Sequence, residues 1–92
     1  MHKTGGVEKR VYYVAVIYPD MASVDLAKRF DLVEAREVVD AYVTPLGCAV
    51  TIECCEYIQY PNGDCSKGVY TNVYEGGNMD TLIEWRGEDS TV

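Results

Sequence analysis

The sequence predicts an α+β domain in which one amphipathic helix packs on a small antiparallel sheet, with the element order β-(β)-α-β-β-β. Three observations carry this expectation. Residues 11 to 18 form an unbroken run of β-branched, aromatic and small apolar side chains, the pattern of a strand covered on both faces. Residues 32 to 43 repeat apolar side chains at helical spacing with acids between them. Residues 48 to 74 hold two β-rich runs separated by Pro61-Asn62-Gly63-Asp64, whose Asn-Gly pair signals a hairpin.

Each element follows in chain order. Residues 1 to 9 contain two adjacent glycines and few apolar groups, so a flexible N-terminus is expected there. The first strand, Val11 to Tyr18, is placed in the middle of the sheet and ends at Pro19-Asp20, because Pro donates no ladder hydrogen bond and Pro-Asp opens turns. Residues 20 to 30 are ambiguous. Val24, Leu26, Lys28 and Phe30 alternate like a strand, whereas Ser23 would cap a short helix; a strand paired back on the first is the preferred reading. Asp31 with Glu34 three residues on gives a capping box, and Phe30 and Ala35 stand where a hydrophobic staple would join them. A helix is therefore expected to start at Leu32. On its wheel Leu32, Ala35, Val38, Val39, Tyr42 and Val43 share one arc, and Glu34, Glu37 and Asp40 lie opposite. Thr44-Pro45 and Gly47 end it.

The C-terminal half reads as an antiparallel meander: a long strand from Cys48 to Tyr60, a returning strand from Gly68 to Tyr74, a turn at Glu75-Gly76-Gly77-Asn78, and a third strand from Thr81 to Trp85. Residues 87 to 92 are expected to be an acidic tail. The chain has 92 residues, enough for one core that removes roughly 60 to 65% of the unfolded surface from water. One domain over residues 10 to 86 is the expectation.

Composition narrows the function classes. Eight basic residues face 15 acidic ones, for a net charge of -7, so a surface that holds a phosphate backbone directly is disfavoured. The longest apolar stretch, residues 11 to 18, is far below the roughly 18 to 20 residues of a membrane-spanning helix, and the N-terminal residues lack the apolar run of a secretory signal. The expected location is the cytoplasm, without membrane contact. In that reducing setting the four cysteines are expected to be thiols.

Catalytic signals are sparse. The sole histidine is His2, in the expected flexible segment, so a Cys/His or Ser/His nucleophile would lack its base. No phosphate-binding loop, nucleophile elbow or zinc-protease motif is present. Cys48, Cys54, Cys55 and Cys65 have gaps of 5, 0 and 9 residues, unlike the paired ligands of zinc sites, and adjacent Cys54 and Cys55 would point to opposite faces of a strand. No catalytic residue, metal or cofactor is expected. A cysteine-based metal or redox module is the weakest of three readings, with Cys65 in the turn as its accessible thiol.

Charge and aromatics carry the more specific signals. Residues 1 to 30 hold five bases against three acids, a balance of +2, whereas residues 31 to 92 hold 12 acids against three bases, a balance of -9. The acid falls on the helix (Glu34, Glu37, Asp40), the long strand (Glu53, Glu56) and the C-terminal segment (Asp80, Glu84). Among the eight tyrosines, Tyr57, Tyr60, Tyr70 and Tyr74 lie on the two arms of the hairpin, where some should share a face and offer rigid area for protein recognition. Tyr12, Tyr13 and Tyr42 are read as core or core-edge. The expected partner-binding set is thus Glu34, Glu37, Asp40, Glu53, Glu56, Tyr57, Tyr70, Tyr74, Asp80 and Glu84.

In size, acidity and lack of a catalytic set the chain is similar to the small inhibitors that phages and mobile elements direct against host defence, anti-CRISPR proteins among them. The similarity is one of class and attaches to no particular residues. It implies a non-enzymatic inhibitor that occupies a basic, nucleic-acid-binding surface of a protein or ribonucleoprotein. The alternative is a small assembly domain that self-associates, as a homodimer for example, through an exposed edge strand.

Overall fold

The computed structural model describes residues 5–90, with side chains through residue 87. Six elements follow in the order β1 (Val7–Ile17), β2 (Ser23–Arg29), α1 (Leu32–Ala41), β3 (Ala49–Gln59), β4 (Val69–Gly77) and α2 (Met79–Ser90). The strands make one antiparallel sheet in the order β2-β1-β3-β4. The α+β class holds, β1 is central, and residues 23–29 are the strand rather than the helix. The last element differs: Thr81 to Trp85, expected as a strand, lies inside α2. The ordered elements also pass the expected domain bounds, since β1 starts at Val7 and α2 runs to Ser90. The rest of the expected flexible N-terminus and C-terminal tail, residues 1–4 and 91–92, lies outside the described residues.

β1 and β3 pair without interruption from Val7↔Gln59 to Ile17↔Ala49. Because alternate residues of a strand point to opposite sides, this one register sorts both strands onto two faces. Val14, Val16, Val50 and Ile52 go to one side and form a buried cluster with Ala35 of α1 and Cys48. Ile17 and Ala49 go to the other, where they are buried with Leu82 of α2 and Trp85 packs against them. The two helices therefore lie on opposite faces of the sheet.

Each helix is held by local chemistry. Asp31 caps α1, its Oδ1 accepting from the Val33 N–H at 2.6 Å, which satisfies one of the donors a helix start leaves open. Ala35 is fully buried, and Val38, Val39 and Tyr42 pack against the cluster, but Val43 is 88% exposed because α1 has ended at Ala41. Phe30 is 70% exposed with the Lys28 ammonium 5.7 Å from its ring centre, so it packs outside the cluster that holds Ala35, and the staple does not form there. On the other face, Asn78 caps α2 by accepting from the Thr81 N–H at 3.0 Å, and the Thr81 hydroxyl donates to the Gly47 carbonyl at 2.6 Å. α2 is thereby tied to the loop that precedes β3.

Gly77 makes the β4–α2 junction. Its φ is +81°, and a Cβ there would sit 2.6 Å from the Cys48 carbonyl oxygen and 3.0 Å from the Ala49 Cα. Gly63, in the β3–β4 loop, also has a positive φ of +93° but open space around it. Gly63→Ala should cost about 1 to 2 kcal/mol, the strain of a side chain in the left-handed region. Gly77→Ala should cost clearly more, since backbone must also move. Urea unfolding of the two variants checks this, and equal losses would contradict the close approach at Gly77.

Candidate binding faces

The two faces of the sheet are unequally covered. α1 lies across β1 and β2, and with Tyr12, Tyr18, Leu26 and Tyr74 it closes one face. α2 covers only the end of the other, over Ile17 and Ala49. The molecule is correspondingly flat, with Cα extents of 50 × 34 × 16 Å and a radius of gyration of 15.5 Å, against about 12 Å for a compact chain of this length. Part of the α2 face is thus open sheet.

The candidate residues divide between these faces. Glu34, Glu37 and Asp40 are exposed on α1 and make no ion pair among the described residues. Glu56 is on the α1 side of the sheet, opposite Arg10, with Arg10 Nε 3.3 Å from its Oε2. Both partners are more than half exposed, so the pair contributes little to stability. Tyr74 also turns to the α1 side, where the Arg36 guanidinium stands 4.4 Å from its ring centre. On the α2 side lie Glu53, Tyr57 and Tyr70 by strand register, and Asp80 and Glu84 on α2 itself. The set is therefore two surfaces with a sheet between them, not one.

A bulge explains the separation of Tyr70 and Tyr74, which an uninterrupted strand would put on one face. The register of β3 with β4 runs Ile52↔Tyr74 and then Glu53↔Asn72. Val73 is the extra residue, and one extra residue reverses the facing of everything beyond it. A second bulge, at Leu26 in β2, lets both Leu26 and Ala27 pack toward α1 while Asp25 faces the other way, opposite Ala15.

On the open face Tyr13, Ala15, Asp25, Thr51, Glu53 and Tyr70 line a shallow depression of about 360 Å³. Its floor is the directly paired Ala15 and Thr51, the smallest side chains in that part of the sheet, and longer side chains stand around them. The Tyr13 and Tyr70 ring centres are 6.4 Å apart at 34°. Beyond Thr51 its partner Glu75 is paired with Arg86 of α2. Asp25 and Glu53 make no ion pair among the described residues.

Sequence reasoning missed Tyr13, Ala15, Asp25 and Thr51 as parts of a site. Tyr13, read as core or core-edge, is half-buried and lines the depression. The available signal was Ala15, the one small residue in Tyr12-Tyr13-Val14-Ala15-Val16-Ile17-Tyr18, which leaves a gap in a row of large side chains.

The cysteines are separated. Cys48, Cys54 and Cys55 are buried and Cys65 is exposed, all as free thiols. Cys54 and Cys55 face opposite sides, opposite Tyr12 and Tyr70 respectively. Among the described residues no group of three or more His, Cys, Asp or Glu side chains converges as a metal site, and no helix is long and apolar enough to cross a membrane. Comparison with protein-family models, curated proteins and solved structures finds no match.

Three tyrosines hold their protons above the ordinary value. Tyr70 does so through its hydrogen bond with Cys55, and Tyr12 and Tyr42 chiefly through partial desolvation, with Cys54 beside Tyr12 and Tyr18 beside Tyr42. The folded protein thus keeps protons that the unfolded chain releases. This contribution to stability is fully present below about pH 10, the ordinary tyrosine value, and is lost as pH climbs through the folded values. Stability should therefore fall as pH rises above about 10, and less steeply in Tyr70→Phe. Urea unfolding across that range checks it; a slope unchanged by the substitution would contradict the Tyr70 contribution.

Proposed function

We propose that the protein is a small, acidic, non-enzymatic binding protein of the cytoplasm that occupies a basic, nucleic-acid-binding surface of a partner protein or ribonucleoprotein. It would act as an inhibitor, like the anti-CRISPR class it is similar to. The observation that carries this reading is the open α2 face, where Asp25 and Glu53 lie without basic partners among the described residues, beside the half-buried Tyr13 and the exposed Tyr70. Unneutralised carboxylates steer association with a basic surface, and tyrosines add contact area at little entropic cost. The acids of α1 supply a second field on the opposite side.

The test is capture of partners from nuclease-treated lysate, followed by addition of the purified protein to the captured partner loaded with its nucleic acid. The expected result is release of the nucleic acid, weakening as salt rises, and no release by the D25K/E34K/E37K/D40K/E53K variant. Partners that keep their nucleic acid, or a reversed variant that works equally well, would contradict the reading.

One observation favours self-association as the second reading. β4 is an edge strand, and its residues Val69 to Val73 are exposed and uncharged, a combination that invites pairing with another strand. The opposite edge, β2, carries Asp25, Lys28 and Arg29, charges that discourage it. A dimer should appear on sedimentation at rising concentration and vanish in Thr71→Pro; a monomer throughout would exclude it.

A further inference from the structure

We infer that the depression on the open face is a receptor for one arginine side chain of the partner, with the guanidinium between the tyrosine rings and the Asp25 and Glu53 carboxylates. This deepens the proposed function and rests on it for the identity of the arginine's owner.

Four features of the depression fit a planar, multiply donating cation. Its floor is low because Ala15 and Thr51 are small, so a side chain can settle over them among the longer side chains around. Thr51 is 1% exposed, and its hydroxyl makes no hydrogen bond among the described residues, leaving an acceptor in the floor for an N–H donor. Asp25 stands on β2 and Glu53 on β3, with β1 between them. The register sets Asp25 level with Ala15 and Thr51 but Glu53 level with Tyr13, two residues further along, so they stand at opposite corners of the depression roughly 12 Å apart, a span that two flexible carboxylates narrow around a guanidinium presenting five donors. Tyr13 and Tyr70 supply the ring faces on which such a cation stacks.

The rest of the molecule shows the same chemistry already satisfied internally. Tyr74 holds Arg36 at 4.4 Å and Phe30 holds Lys28 at 5.7 Å. Arg86 is engaged with Glu75 at the side of the depression. Lys28, which the register places opposite Tyr13, is a base that could compete for the acids, and its ammonium is drawn to Phe30 instead. Tyr13 and Tyr70 carry no cation among the described residues. Arginine is preferred over lysine because a compact ammonium cannot stack on a ring and reach two separated carboxylates at once.

The experiment is titration of the isotope-labelled protein with methylguanidinium chloride at constant ionic strength, followed by amide and tyrosine-ring chemical shifts. The expected result is saturable change confined to Tyr13, Ala15, Asp25, Thr51, Glu53 and Tyr70. D25N/E53Q should bind roughly fivefold more weakly, the loss expected for partly exposed ion pairs, and E34Q/E37Q/D40N, on the opposite side, should bind as well as the parent. Should D25N/E53Q not fold, Tyr70→Ala must weaken binding in its place. Shifts spread over both faces, absence of saturation, or undiminished binding by these depression variants would overturn the site. If methylguanidinium saturates the depression while nucleic acid stays on every captured partner, the site stands and the partner reading falls. If nucleic acid is released while the shifts lie elsewhere, the partner reading stands and the site falls.

Discussion

The pairing of β1 with β3 is the constraint on which the other elements depend. Its register joins residues 7–17 to residues 59–49 without a break, and in a structure of period two that single choice decides the facing of every side chain on both strands. Val14 and Val16 meet Ile52 and Val50 on one side, and Ile17 meets Ala49 on the other. Shifting the register by one residue would expose the first group and turn Tyr13 and Glu53 into its place. α1 has a place to dock only because the first group is contiguous, and α2 only because the second lies at the end of the sheet.

Departures from that register are local and consequential. The Val73 bulge divides the hairpin tyrosines, sending Tyr74 into the α1 layer and leaving Tyr70 on the open face beside Tyr13. The Leu26 bulge turns apolar side chains toward α1 and keeps Asp25 on the other side. Together the two irregularities gather acid and tyrosine on a face that α2 covers only in part. A wholly regular sheet would have given neither Tyr70 nor Asp25 its neighbours at the depression.

Much of this order is legible in the sequence where one physical signal dominates. The apolar run at residues 11–18 reads as a central strand because no other element takes a continuous β-branched stretch of that length. The start of α1 is legible because Asp31 is both a good cap and followed by helical periodicity. α2 is not, because Leu82, Ile83 and Trp85 are compatible with period two as well as with helical spacing. Gly76-Gly77 draws attention to a turn, whereas the deciding residue is Asn78, which caps the helix. The candidate acids are legible as a composition, but their division between two faces depends on bulges that single residues such as Val73 do not announce. The depression was hidden for the same reason: Ala15 and Thr51 become neighbours only through long-range pairing.

Register and bulges place Tyr70 with Tyr13 on the open face and Tyr74 with Arg36 under α1. The most direct measurement is the set of proton–proton nuclear Overhauser contacts of these rings in the folded protein. Cross-peaks between the Tyr13 and Tyr70 rings, and between the Tyr74 ring and the Arg36 side chain, are the predicted result. Cross-peaks from Tyr70 to Arg36, or from Tyr74 to Tyr13, would place both hairpin tyrosines on one face and contradict it.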